Sequence, residues 1–134
     1  MSQPFDPTIL TRRTTVDMSS SQWLLVSASG SDNLALTGVN GLPIGALTND
    51  VADGSGANAV YLPVQVGGII KVEVGTGGIT AGNLAGAEAG GTAVQVDGAA
   101  GGGTNSHSFG VALGTYVDGE IGSFLWSPSW VEIS

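Results

Sequence analysis

The triplet Ser106, His107 and Ser108 is where a nucleophile and a general base stand together in the sequence. A hydrolase needs such a pair, but its base must be held in one orientation by a supporting group. The triplet follows directly on the small residues 99–105, which favour a flexible loop. We therefore predict that the protein is not an enzyme, with a small hydrolase that uses His107 as the alternative.

The loop 49–54 carries oxygen atoms of the kind that bind calcium. An EF-hand loop that begins at Asn49 would need a ligand where Val51 stands and an acid where Val60 stands. That pattern fails, which leaves a looser oxygen site built from Asp50 and Asp53, or a turn capped by its own side chains. We favour the turn and predict no metal site.

Residues 54–59 match the glycine pattern of dinucleotide-binding loops, G-x-G-x-x-G/A. The pattern binds a cofactor when it follows a strand and opens a helix, with an acid about 20 residues further on. The residues after position 59 instead predict a strand, and Pro63 lies within it. Because glycine is abundant in this chain, the match has little specificity, and we predict no cofactor.

Composition and charge narrow the remaining functions. The chain has 134 residues, no cysteine and a single histidine, which excludes disulfides and a multi-histidine metal site within one chain. Three basic residues against eleven acidic ones give a net charge of −8, so we expect no nucleic-acid partner and no docking on anionic lipid. No segment approaches the roughly 18 apolar residues of a membrane span. The N-terminus lacks the basic-then-apolar order of a signal peptide, and we expect no export.

Most of the sequence predicts short β-strands separated by turns. All 23 glycines lie beyond residue 29, and the apolar runs between them are short. Ile70, Val72 and Val74 alternate with charged residues, as in a strand that has one buried face. About nine such runs predict an all-β fold, a small barrel or sandwich. We assign residues 21–134 to a single β domain, in which residues 80–88 form at most a short helical turn.

The first 20 residues differ in composition from the rest. They contain no glycine, two prolines that favour an extended backbone, and apolar side chains beside an arginine pair. We predict an extended N-terminal arm over residues 1–20 that contacts other subunits, with a frayed terminus as the alternative. Two tryptophans near the C-terminus are further candidates, because aromatic residues are enriched at interfaces. The predicted intermolecular contacts are Pro4, Phe5, Ile9, Leu10, Arg12, Arg13, Trp126 and Trp130.

Two segments of the chain resemble each other. Residues 44–46, Ile-Gly-Ala, match residues 109–111, Phe-Gly-Val, and each triplet follows an alternating strand and precedes an acidic loop. We predict an internal duplication over about residues 34–64 and 93–128, with chance similarity between glycine-rich strands as the alternative. In either case the central glycine lets a neighbouring backbone approach or marks a bulge.

Short motifs in a fixed order carry a resemblance to a known family. They occupy residues 23–36, 43–48, 68–75, 78–84, 91–94, 109–113 and 118–121. Residues 43–48, Pro-Ile-Gly-Ala-Leu-Thr, stand where the family has an IGVL-like strand, and residues 78–84, Gly-Ile-Thr-Ala-Gly-Asn-Leu, resemble its ITAGDL block. In order and spacing the chain resembles the capsid cement (head decoration) proteins of tailed bacteriophages, the DUF2190-like group.

The resemblance implies a structural virion protein that binds the outer surface of a phage capsid and cements adjacent capsomers. It implies the major capsid protein as a partner and a homo-oligomer, with a trimer favoured over a dimer. The protein would be made in the host cytoplasm and would end on the capsid surface. The alternative is another phage structural or surface-adhesion module, from a tail or with glycan-binding activity, in which Trp126 or Trp130 would bind sugar.

Overall fold

A computed structural model describes residues 9–15, 17–30, 33–38, 41–51, 60–96 and 106–131, and within these ranges the regular structure consists of ten β-strands. In chain order they are β1 (Ile9–Thr14), β2 (Leu25–Ser29), β3 (Asn33–Leu36), β4 (Gly45–Leu47), β5 (Val60–Gln65), β6 (Ile69–Glu73), β7 (Leu84–Ala87), β8 (Ala93–Gln95), β9 (Ser106–Ala112) and β10 (Ile121–Val131). The predicted all-β fold of short strands is therefore confirmed. In these ranges no helix has the length and apolar character needed to cross a membrane.

The first five strands form a closed barrel in the order β1-β3-β2-β4-β5. Strand β1 closes it, because β1 is antiparallel to β5 along its whole length and parallel to β3 at one residue pair, Arg13 and Asn33. The Thr14 side chain is buried, and its hydroxyl donates to the Leu34 carbonyl at 2.8 Å. We call this barrel the first unit.

The segment predicted as an extended arm, residues 1–20, contributes strand β1 to the barrel. Its backbone is extended over Ile9–Thr14, but this stretch is a barrel strand, and Met18 beyond it is buried in the barrel core. The physical reason is the neighbouring strand β5, because pairing with it provides partners for the backbone amides and carbonyls of β1. The predicted contacts Pro4 and Phe5 lie outside the described residues.

The other five strands form a second sheet, the second unit, in the order β6-β10-β9-β7-β8. An isolated parallel bridge between Val74 and Ala93 joins its two edges, as the β1–β3 pairing does in the barrel. Strand for strand, β6 to β10 repeat the connectivity of β1 to β5. This agreement extends beyond the segments 34–64 and 93–128, over which the sequence predicts an internal duplication; the duplication itself stays a prediction.

Gly45 in β4 and Gly110 in β9 hold corresponding places in the two units. A Cβ atom at Gly45 would collide with the Gln65 carbonyl oxygen, and one at Gly110 would collide with the Leu125 carbonyl oxygen. Each oxygen belongs to the neighbouring strand, so glycine is what lets the two backbones lie this close. The predicted role of these glycines, close approach of a neighbouring backbone, is confirmed.

Each unit has its own hydrophobic cluster. The barrel core consists of Met18, Val26, Leu34, Leu47, Leu62 and Val64. The second unit is built around Phe109 and Phe124, whose rings meet edge to face with their centroids 5.3 Å apart. Ile70, Val72 and Val74 are buried beside these rings, which confirms the alternation predicted for β6.

The outer face of β2 and β4 joins the two units. Leu25 and Ala46 are buried in the cluster of the second unit and not in the barrel core. Beside them the Leu25 amide donates to the Gly91 carbonyl at 2.7 Å, and the Glu73 amide donates to the Trp23 carbonyl at 2.8 Å. The first unit therefore packs this face, and the turn before β2, against the second unit. We call this contact between the two units the internal joint.

The stretch 80–88 does not form the short helical turn that the sequence allows. It contains strand β7, which pairs with both β8 and β9. A Cβ atom at Gly86 would lie 2.8 Å from the Val96 side chain and 2.9 Å from the His107 carbonyl oxygen. The small residues of this stretch therefore reflect tight packing between strands, and they do not indicate a helix.

Candidate functional site

Ser108, the last residue of the predicted nucleophile–base triplet, has a structural role. The buried Ser108 hydroxyl lies 3.0 Å from the Ala85 carbonyl oxygen and 3.2 Å from the Gly110 carbonyl oxygen. His107, on the same strand, is half-buried. Within the described ranges, no three histidine, cysteine or acidic residues are grouped so that they could hold a metal ion. The Ser108 hydroxyl is thus engaged with the backbone of the second unit.

Asp50, from the oxygen-rich loop, also stabilises the fold. Its Oδ1 atom accepts a hydrogen bond from the Gln22 amide at 3.0 Å, and the Gln22 side chain donates to the Thr48 carbonyl at 2.9 Å. These bonds tie the turn before β2 to the end of β4. Asp53 and the glycine pattern at residues 54–59 lie outside the described residues.

A cleft of about 360 Å³ lies beside β1, between it and residues of β2 and β3. Arg13 pairs with Asn33, the first residue of β3, so the residues of β1 before Arg13 extend beyond the start of β3. We call this space the barrel cleft; it is lined by Leu10, Arg12, Ala28, Gly30, Asn33, Leu34 and Ile44. Its wall is mostly apolar with a few polar groups, a combination typical of binding sites.

Strand β1 carries the positive charge beside the barrel cleft. Arg12 and Arg13 are exposed, and they are two of three basic residues in a chain that has eleven acidic ones. The Arg13 Nε atom donates to the Asn33 Oδ1 atom at 3.0 Å. Because side chains alternate along a strand, Leu10 and Arg12 face the cleft, while Arg13 and Ile9, which is 48% exposed, point outward.

The predicted contact residues fall into two places. Ile9, Leu10, Arg12 and Arg13 meet on β1. Trp126 lies on β10 in the second unit, where it is half-buried and packs on Phe109 with the ring centroids 6.1 Å apart. Trp130 is on the same strand, and the structure describes its backbone only. Contact of these residues with another molecule stays a prediction.

Sequence reasoning missed the remaining residues of the barrel cleft. Ala28, Leu34 and Ile44 come from three different parts of the chain, on β2, on β3 and before β4. Each looks like an ordinary strand residue in the sequence. Only the order of the strands and their register bring these side chains together, and the sequence contains no local signal for either.

A row of apolar side chains crosses the outer face of the second unit. Cross-strand pairs link Ile69 to Leu125, Leu125 to Val111, and Val111 to Leu84. Ile69 and Leu125 are 38% and 39% exposed, and the other two are half-buried. We call these four residues the apolar row. The apolar row therefore runs across four neighbouring strands, β6, β10, β9 and β7.

The comparisons with known proteins concern the fold. No family model and no curated protein matches the sequence. Among solved structures, the chain is similar to the head fiber gp8.5 N base of bacteriophage phi29, with a TM-score of 0.67 and 19% identity. The match covers 90% of this chain and 95% of that one. The resemblance to DUF2190-like cement proteins therefore stays a prediction, while the shared architecture with the phage head fiber base extends over nearly the whole chain.

Proposed function

We propose that the protein is a non-enzymatic structural component of a phage head, which binds the outer surface of the capsid and stabilises adjacent capsomers. The observation that carries the proposal is the fold, shared over nearly the whole chain with the base of a phage head fiber. That neighbour supports a head-associated role in general. The more specific cementing role rests on the order of motifs between residues 23 and 121, which resembles that of decoration proteins.

The charge of the chain supports a position outside the shell. The net charge is −8, and packaged DNA is a polyanion, so an acidic protein avoids repulsion when the shell lies between them. The outward side chains of β1, Ile9 and Arg13, offer one apolar and one cationic group for contact with the capsid. A subunit that spans two capsid subunits adds buried area across their joint, and many copies sum this effect.

Binding to heads that lack the protein tests the proposal. Purified protein is titrated onto such heads, and both the bound amount and the temperature at which the heads release DNA are measured. We expect saturable binding at a fixed ratio to the capsid protein, and a higher release temperature. Binding with an unchanged release temperature would contradict cementing and leave a head-bound component. Absence of binding would contradict the whole proposal.

A pair of double variants tests the role of β1 in attachment. Ile9→Ser with Arg13→Ser removes its outward apolar and charged groups, whereas Leu42→Ser with Lys71→Ser removes an exposed leucine and a base elsewhere. We expect the first double variant to bind heads about tenfold more weakly, a loss of about 1.4 kcal/mol, and the second to bind normally. The difference should shrink at high salt, which screens exposed charges. Equal binding by both would exclude β1 from the contact.

A further inference from the structure

The strand registers define which residues of the two units correspond. Leu25 pairs with Ala46 across β2 and β4, and Leu84 pairs with Val111 across β7 and β9. The shared connectivity relates β2 to β7 and β4 to β9, and the glycines that meet a neighbouring carbonyl oxygen, Gly45 and Gly110, fix the register. Leu25 therefore corresponds to Leu84, and Ala46 corresponds to Val111. The registers of the other strand pairs relate their residues in the same way.

The turns that precede β2 and β7 also have the same geometry. The Trp23 amide donates to the Leu47 carbonyl at 2.8 Å, and the Gly82 amide donates to the Ala112 carbonyl at 2.8 Å. Trp23 and Gly82 both have a left-handed backbone, with φ of 69° and 85°. Such a conformation is unfavourable for tryptophan, and in the first unit it accompanies the bond from the Glu73 amide to the Trp23 carbonyl.

The same face has different surroundings in the two units. In the first unit, Leu25 and Ala46 are buried against the second unit. In the second unit, the corresponding Leu84 and Val111 are only half-buried, and they continue into the exposed Leu125 of the apolar row. The second unit thus has a counterpart of the face that the first unit uses in the internal joint. No described segment of the chain packs on that counterpart as the second unit packs on Leu25 and Ala46.

The surface that receives this face is also present twice. Register relates the cleft residues Leu10, Arg12, Ala28, Leu34 and Ile44 to Ile70, Val72, Ala87, Ala93 and Phe109, respectively. The second set is buried in one cluster together with Leu25 and Ala46 of the first unit. The first set lines the barrel cleft. The residues of the barrel cleft therefore correspond to residues that, in the second unit, are buried together with the face of the first unit.

We propose that the apolar row of one copy of this chain seats in the barrel cleft of a second copy and repeats the internal joint between chains. The two surfaces correspond to the two sides of a contact that this fold already makes. They lie on different units, so the contact is head-to-tail and leaves one cleft and one row available on each dimer. The partner proposed for the barrel cleft is therefore the apolar row of a second copy of this chain.

The residues that differ between the internal joint and the proposed one are consistent with association of separate chains. Arg12 stands in the cleft where Val72 stands in the joint. Interfaces between separately folded chains are more polar than permanent cores. The described part of the second unit carries one base and four carboxylates, Lys71 against Glu73, Glu88, Asp118 and Glu120. Attraction between the arginines beside the cleft and this acidic unit favours the head-to-tail arrangement.

Matched substitutions on each surface test the contact. Ala28→Trp fills the barrel cleft from an exposed position, and Ser29→Trp places the same side chain on the opposite face of β2. Val111→Glu puts a charge in the apolar row, and Leu42→Glu puts one on an exposed leucine outside both surfaces. By sedimentation equilibrium we expect each surface variant to raise the dissociation constant at least about tenfold, with each control within about twofold of the parent. Urea unfolding verifies that all four are folded, and Arg12→Glu replaces Ala28→Trp if the tryptophan disturbs the barrel.

Mixing the two surface variants distinguishes a head-to-tail contact from other self-association. Ala28→Trp retains its apolar row and Val111→Glu retains its cleft, so the mixture should form a dimer through the one intact pair, while neither variant associates alone. A monomeric parent protein, surface variants that keep the parent's mass, or a mixture that stays monomeric would each overturn the proposal. These measurements use the purified protein without heads, so their failure is distinguishable from a failure of capsid binding.

Discussion

Replacing Gly110 by alanine tests the close strand contact at the centre of the second unit. The added methyl group would collide with the Leu125 carbonyl oxygen, a backbone atom that moves only if β10 shifts. Overpacking costs about 1–3 kcal/mol, and we expect a value near 3 kcal/mol because the obstacle is not a flexible side chain. For a chain of 134 residues, each kcal/mol corresponds to about 3–5 °C in Tm, so the variant should melt about 10–15 °C below the parent.

Gly38→Ala is the matched control for this prediction. An added Cβ atom at Gly38 would meet nothing within 4 Å, so alanine there should leave stability unchanged or raise it by up to about 1 kcal/mol. Gly45→Ala, at the corresponding position of the barrel, should lose stability as Gly110→Ala does. Calorimetry and urea unfolding give the free energies of unfolding. A Gly110→Ala protein within about 0.5 kcal/mol of the parent would refute the close approach of β9 and β10.

Two further predictions concern the N-terminal part of the described chain. Deletion of residues 2–20 removes β1 and the buried Met18, so we expect the variant to lose the parent's circular dichroism and its cooperative unfolding. A folded 2–20 deletion would contradict the place of β1 in the barrel. Asp17 accepts hydrogen bonds from the Ser19 hydroxyl and amide, which lower the pKa of the Asp17 carboxyl. Its contribution to stability is therefore present above the unfolded pKa of about 3.9 and is lost as the pH falls through the lowered folded pKa. In urea unfolding, the deficit of Asp17→Asn relative to the parent should narrow towards acid pH, and a deficit independent of pH would contradict this account.

Local patterns predicted the faces of strands but not their partners. Ile70, Val72 and Val74 could be assigned to a buried face because alternation is a property of one segment. The pairing of β1 with β5 depends on residues that are far apart in the chain, so an arm and a barrel strand look alike in the sequence. Strand β7 was missed because Leu-Ala-Gly-Ala has no β-branched residue, although its small side chains are what tight packing requires.

The same limit explains why the candidate site could be predicted only in part. Arg12 and Leu10 stood out because positive and apolar side chains are conspicuous in the first segment of an acidic chain. The opposite wall of the barrel cleft consists of ordinary residues such as Ala28 and Ile44, which become neighbours only through register. Correspondence between the two units likewise requires the pairing of strands, since the sequence match is limited to a few residues around Gly45 and Gly110.

The proposed contact joins two different surfaces of the chain, and this determines which assemblies can form. Each copy offers one barrel cleft and one apolar row, so copies associate into a closed ring or an open chain. A ring leaves neither surface exposed and has one mass at all concentrations above its dissociation constant, whereas a chain lengthens with concentration. The net charge of −8 per copy opposes long chains because repulsion accumulates along them, which favours a small ring. The trimer expected from the resemblance to decoration proteins would be such a ring, with the joint inside each chain and the contacts between chains built on the same pair of surfaces.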